Sequence, residues 1–367
     1  MTFLELRVIV AGTFNHHRFV SCLPWRVVIF ARRWRSLKLN KWITSVSVML
    51  CLCLLLMTAL ACKPKESVVN MSMASSFNTW LATYAIREGK INSDLVNVNI
   101  NIGSDHDLQM RSGKYPMGVL NTSAFAGVIQ NENLSFVAIS TFIIHEGALT
   151  REGVNYLLTR VDSDINSPAD LVGKKIGVPD LQGSGTSCFL ALLQENYGIG
   201  ADDFSSLVDF SNTQLTNLLA RGDLDAALIG QNIGVQATLN PAFKVVWSID
   251  DAFFAKFGTP CVTSMLVVDS DFQKRNPELV KAAYDLLMES VIYGEEHIDE
   301  LAPLYAVEYG DGTDADFYKM IYNAHSRCKL GEISGNVYDA VVGLFSFVMA
   351  RGSIDSTPDP AVVFSKP

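Results

Sequence analysis

At 367 residues the chain has room for about two domains with cores of their own. Its hydrophobic content of 49% is inflated by an apolar run within residues 1–61, a segment that also holds eight of the 29 Lys and Arg but only one of the 38 Asp and Glu. From Cys62 onward 21 basic residues therefore face 37 acidic ones, a net charge of −16, and this excludes binding driven by attraction to nucleic acid or to anionic membrane faces.

Residues 1–31 match neither a signal nor a domain and are read as a start assigned too far upstream. Arg32, Arg33, Arg35, Lys38 and Lys41 then precede the apolar run 42–61, the basic and hydrophobic regions of an export signal. The run is long enough to span a bilayer, but it ends in Ala59-Leu60-Ala61, with small residues at the two positions a signal peptidase reads. Residues 1–61 are thus expected to be a leader. Cys62 followed by Lys63-Pro64-Lys65-Glu66 resembles the bacterial lipobox, with Ala59 where leucine is favoured. That resemblance implies a lipid on Cys62, a tether over 62–66 and a chain parked on a membrane surface; plain cleavage after Ala61 is the alternative.

Past the tether, Val68 to Ala74 alternates as a strand, and Ser75-Ser76-Phe77-Asn78-Thr79-Trp80 opens a helix that Gly89 stops. Strands follow at 96–102, 117–120 and 136–140, with a helical stretch around Leu108 and a helix from Ser123 to about Gln130. The βαβ order predicts α/β architecture with a mainly parallel sheet, whose ligands gather at the carboxyl ends of its strands. A strand at 154–161 leads to a second βα series with strands at 175–178, 206–210 and 224–229, helices between them, and one further strand over 243–249. Cys261 to Val268 reads as a strand crossing back, Asn276-Pro277-Glu278 caps a long helix, and 298–349 looks helical with breaks near Gly310 and Gly331. Two βα lobes joined by two crossings predict a clamshell: 67–165 with 260–367 as lobe 1, and 166–259 as lobe 2.

The turn around which this series is organised is Gln182-Gly183-Ser184-Gly185-Thr186-Ser187, between a buried strand and a helix. Glycines and hydroxyls there leave backbone N–H groups pointing outward with the helix dipole behind them, a geometry that holds an anion. The turn lacks the Lys of a nucleotide P-loop; an ordinary N-cap is the bland alternative. In a clamshell it faces Ser75, Ser76, Phe77, Asn78, Trp80, Asn121, Thr122 and Ser123 across the gap, together with Asn212 and Gln231 on its own side. Phe77 and Trp80 are also candidate core residues. His106, His145, His297 and His325 are scattered, and Cys188, Cys261 and Cys328 have no metal-ligand spacing, so no metal site, no nucleophile and no disulfide is expected.

Ser167-Pro168-Ala169-Asp170-Leu171-Val172-Gly173-Lys174-Lys175-Ile176-Gly177-Val178 and Gly222-Asp223-Leu224-Asp225-Ala226-Ala227 are similar to segments of periplasmic binding proteins of ABC importers. The likeness spans about Val68 to Glu300 and is strongest for the branch that takes sulfonates, nitrate and thiamine precursors. It implies a type II two-lobe fold and a monomer without cofactor outside the cytoplasmic membrane. Such a chain captures a small anionic, zwitterionic or heterocyclic solute and delivers it to a permease with its ATPase. Two other functions fit the same branch: a thiamine-pyrimidine-synthase-like enzyme, whose cysteine-rich metal motif is not found here, and a sensory lobe pair without transport.

Overall fold

Two sheets carry the chain, and their strands are, with few exceptions, those that the alternation of apolar residues marks. The computed structural model describes residues 68–132, 134–146, 153–310 and 312–367, within a unit that runs from Pro64 to Pro367. Cys62, the leader and the whole tether lie outside the described residues. In chain order the strands are β1 (Val68–Ala74), β2 (Asn97–Gly103), β3 (Met117–Asn121), β4 (Phe136–His145), β5 (Tyr156–Arg160), β6 (Lys175–Val178), β7 (Ser206–Asp209), β8 (Ala226–Ile229), β9 (Phe243–Ser248), β10 (Cys261–Asp269) and β11 (Ser326–Cys328). The helices are α1 (Phe77–Arg87), α2 (His106–Arg111), α3 (Thr122–Asn131), α4 (Ser184–Tyr197), α5 (Asn212–Arg221), α6 (Gln231–Thr238), α7 (Ile249–Phe257), α8 (Ser270–Arg275), α9 (Pro277–Glu296), α10 (Ile298–Tyr309), α11 (Ala315–Ala324), α12 (Asn336–Ala350) and α13 (Pro360–Val363).

The first sheet has the order β11-β4-β10-β3-β1-β2, the second β7-β6-β8-β5-β9. Both are mixed, where mainly parallel sheets were expected. β10 lies antiparallel between β3 and β4, and β5 antiparallel between β8 and β9. The reason is topological: β1, β3 and β4 run towards the other lobe and end there, whereas β10 arrives from it and must start at that edge. β5 does the same for the second sheet.

Because β5 pairs with β8 and β9, the first crossing comes between His145 and Tyr156, ahead of the boundary after Ile165 expected from sequence. The second crossing follows α7 and enters β10. Residues 260–367 do not all sit on lobe 1 either. Ala340, Leu344 and Phe347 of α12 pack with Phe189, Leu192 and Phe253 in the second lobe, while Val341, Phe345 and Val348, one position on, pack with Phe125 and Val128 in the first. These two sets at helical spacing make α12 apolar over a wide arc, so it is buried by both lobes. α11 divides similarly, with Ile321 in the core of Leu215 and Leu219, and Tyr318 and Tyr322 in that of Phe77 and Trp80.

Local signals fix the helix ends. Ser76 accepts from the Thr79 N–H, and Ser211 forms a capping box with Gln214. Gly198 and Gly222 end α4 and α5 at φ 72° and 79°, where a Cβ would be strained.

Candidate functional site

The strand ends of the two sheets meet through Ser123–Ser184 and His145–Asn155, and short polar turns follow several of them. From lobe 1 come Ser75 and Ser76 after β1, Asn121, Thr122 and Ser123 after β3, and His145 at the end of β4. From lobe 2 come the turn after β6, Asn212 after β7, Gln231 after β8 and Asp250 after β9, with Asn155 just before β5.

Ser123 and Ser184 join the lobes directly. The Ser184 Oγ donates to Ser123 Oγ at 2.9 Å, and the Ser123 N–H lies 3.3 Å from Ser184 Oγ. The N-termini of α3 and α4 therefore meet tip to tip, each leaving backbone donors without helical partners. The turn Gln182 to Ser187 thus faces lobe 1 through Ser123; among the described residues no hydrogen bond joins it to Ser75–Asn78. Thr186, in the first turn of α4, is 1% exposed and its hydroxyl has no partner. Gln182 and Ser187 are engaged at the flank: Gln182 Oε1 accepts from Ser353 at 2.5 Å, and Ser187 Oγ accepts from Arg351 Nη1 at 3.1 Å. Burial pulls the Arg351 guanidinium below its ordinary value, opposed by the charge of Asp180.

The other expected residues divide between the gap and the walls. Ser75, Asn121 and Gln231 are exposed, and Asn212 Oδ1 accepts from the Gly230 N–H at 3.0 Å. Gln231 has φ 58°, a left-handed conformation that costs a non-glycine residue about 1–3 kcal/mol. Thr122 is buried and donates to the Val262 carbonyl at 2.6 Å. Asn78 donates to Ser326 Oγ at 3.1 Å, and its own Oδ1 is buried without a partner. Phe77 and Trp80, three positions apart on one face of α1, go into the wall: Phe77 packs 5.0 Å from both Tyr305 and Tyr318, and Trp80 lies 5.3 Å from Tyr305.

Sequence alone did not mark the group at the first crossing. Asp250, its side chain 3% exposed, accepts from the Val154 and Asn155 N–H groups at 2.7 Å each and from Asn155 Nδ2 at 3.0 Å. The same Nδ2 is 3.0 Å from His145 Nδ1. A Cβ built on Gly230 would fall 2.6 Å from Asn155 Oδ1, and one on Gly185 would fall 3.3 Å away, so both turns close on this amide. The signal that could have found the group is weak: single polar residues next to strand ends, far apart in sequence.

Nearby, Cys188 and Cys261 are both buried. The Cys261 thiol is pushed well up, first by its hydrogen bond with Cys188 and then by burial. Among the described residues no three His, Cys, Asp or Glu side chains are grouped to hold a metal, and no helix is long and apolar enough to cross a membrane.

Residues 97–264 match a family model described as ABC transporter, phosphonate, periplasmic substrate-binding protein. The chain is also 27% identical over 258 residues to the taurine-binding periplasmic protein of Escherichia coli (strain K12), covering 67% of this chain and 74% of that one. The chain is thus similar to the substrate-binding proteins of ABC importers. Its fold agrees: the periplasmic aliphatic sulphonate binding protein SsuA from Escherichia coli superposes with a TM-score of 0.68 at 10% identity, over 83% of this chain and 93% of that one. A shorter likeness, 50% identical over 44 residues, links 12% of the chain to 13% of the 4,5-dihydroxyphthalate decarboxylase of Comamonas testosteroni. In a substrate-binding protein of this fold, the gap between the strand ends is where a solute is captured.

Proposed function

We propose that this substrate-binding protein closes on a small solute bearing an oxyanion, of the sulfonate or phosphonate class and zwitterionic forms included, and hands it unaltered to a membrane permease driven by an ATPase. The observation that carries this is the meeting of the α3 and α4 N-termini at Ser123 and Ser184, where first-turn backbone donors without helical partners and hydroxyls converge. An anion bound there gains from both helix ends. The taurine-binding relative and the family match support the solute class.

Ser75, Ser76, Asn121, Ser123, Ser184, Gly185 and Gln231 are the proposed contacts, and the crossings at His145–Tyr156 and after Gly258 are the proposed hinges. The strained Gln231 fits such a role, because strain is retained where a site needs it. Phe77, Trp80 and Thr122 shape the walls. The chain works as a monomer outside the cytoplasmic membrane, held there by lipid on Cys62.

Isothermal calorimetry with taurine, ethanesulfonate, methylphosphonate, nitrate and a neutral pyrimidine tests the proposal. A Kd of micromolar order or tighter is expected for at least one oxyanion, with a melting temperature that rises as ligand exceeds Kd. Mass spectrometry should recover that ligand chemically unchanged after incubation. Binding of the neutral pyrimidine alone, or turnover of the ligand, refutes it.

A further inference from the structure

The group at the first crossing fixes more than the position of a loop. Asp250 Oδ2 takes two backbone N–H groups and Oδ1 takes Asn155 Nδ2. A carboxylate in this setting only accepts, so the Asn155 amide has one possible orientation, with its NH2 towards Asp250. One proton of that NH2 goes to Asp250 Oδ1. The other points at His145 Nδ1, 3.0 Å away, and in the neutral ring Nδ1 then accepts it, with Asp250 Oδ1 a more distant 3.7 Å from the same nitrogen. A neutral imidazole that accepts at Nδ1 carries its proton on Nε2. Asp250 thus sets the amide, and the amide sets the tautomer.

Nε2–H is the one polar function of the ring left over. It makes no hydrogen bond with any described residue, and the side chain keeps 13% of its surface open. The ring also stands between the lobes. His145 ends β4 opposite Cys261 and Ser326 on the two neighbouring strands of lobe 1, whereas Asn155 and Asp250 belong to lobe 2. Gly185 and Gly230, at the N-termini of α4 and α6, close on the other side of the same Asn155 amide. The ring therefore sits at the junction of the two lobes, beside the helix ends already described.

We infer that His145 Nε2–H is a ligand-binding donor, oriented by Asn155 and Asp250, which meets an oxyanion oxygen of the captured solute. This rests on the solute-capture proposal and adds a specificity element to it. A solute lacking an acceptor at that point leaves the N–H unmet on closure, which disfavours it. Asn155 and Asp250 are positioning residues that touch the histidine rather than the solute.

The test combines calorimetry, using ethanesulfonate and methylphosphonate as probes, with NMR of the full chain carrying 13C,15N-labelled histidine. The six histidines keep the spectrum assignable. His145 should show the Nε2–H tautomer, and its ring signals should move when the bound probe is added. His145→Gln, whose amide nitrogen takes the place of Nε2, should bind within about threefold of the parent chain. His145→Asn, which replaces Nδ1 alone, should lose about tenfold or more while melting at the parental temperature. Asp250→Asn turns the Asn155 amide round, and should move the ring proton to Nδ1 and weaken binding with the histidine untouched.

An Nδ1–H tautomer in the parent chain, or His145→Asn binding as tightly as the parent, overturns the assignment even where both probes bind. If both probes fail and a neutral solute binds, the oxyanion donor role is overturned and solute capture survives. If no solute of any charge binds, capture itself fails and takes the donor role with it.

Discussion

Replacing Asp250 by alanine should be among the costliest single changes in the second lobe. Its carboxylate is nearly sealed and accepts three hydrogen bonds, two of them 2.7 Å long and from backbone N–H groups. Val154 is 1% exposed and Asn155 8%, so neither N–H recovers a water partner when the acceptor is removed. A buried donor left unmet costs about 1–3 kcal/mol, and a bond to a charged acceptor contributes about 1.5–3 kcal/mol. The two overlap, and a total of about 4–6 kcal/mol is expected, with the loss of an acid from the first turn of α7 included. Asp250→Asn keeps one oxygen for both backbone donors and turns only its NH2 towards Asn155, so about 1–3 kcal/mol is expected there. At about 2–4 °C per kcal/mol for a domain of this size, the alanine variant should melt roughly 8–24 °C below the parent, and the asparagine variant should fall between them. Scanning calorimetry and urea titration measure both. An alanine variant melting within about 2 °C of the parent, or an asparagine variant as damaged as the alanine one, refutes the view that these bonds hold the crossing together.

Gly230→Ala places a methyl 2.6 Å from Asn155 Oδ1 and should displace that amide, lowering solute affinity. Gly127→Ala, with nothing within 4 Å, serves as its control and should be silent in calorimetry. Burial, followed by the charges of Tyr318 and Tyr309, pushes the Tyr305 phenol up to about 12 from an ordinary value near 10. Its folded value is the higher one, so its stabilising contribution is whole below about pH 10 and is lost as pH rises towards 12. Melting temperature should fall between pH 9 and pH 11.5, less steeply in Tyr305→Phe; equal slopes would count against this. Burial likewise raises the Cys328 thiol, and Cys261 is raised by its bond to Cys188 and by burial. Ellman's reagent at pH 8 should therefore find no fast-reacting thiol among Cys188, Cys261 and Cys328 until the chain is unfolded, and labelling of any of the three within minutes would contradict their packing.

What the sequence determined by itself is local. Alternation in Val68–Ala74, helical spacing from Ser184 to Tyr197 and the glycine stops at Gly198 and Gly222 depend on neighbours three or four positions away, and these can be read along the chain. The Gly-Ser-Gly-Thr turn belongs with them, since its chemistry is complete within six residues. What only the tertiary structure decided is long-range. β11 is three residues long and exists because β4 offers it an edge; nothing within Ser326–Cys328 says strand. The directions of β5 and β10 follow from which lobe each arrives from. Phe77 and Trp80 look like cleft aromatics until α10 and α11 fold over them. Asp250 finds Asn155 across 95 positions and Ser184 meets Ser123 across 61, pairings that no periodicity encodes, because a hydrogen bond between distant residues is specified by the packing that brings them together.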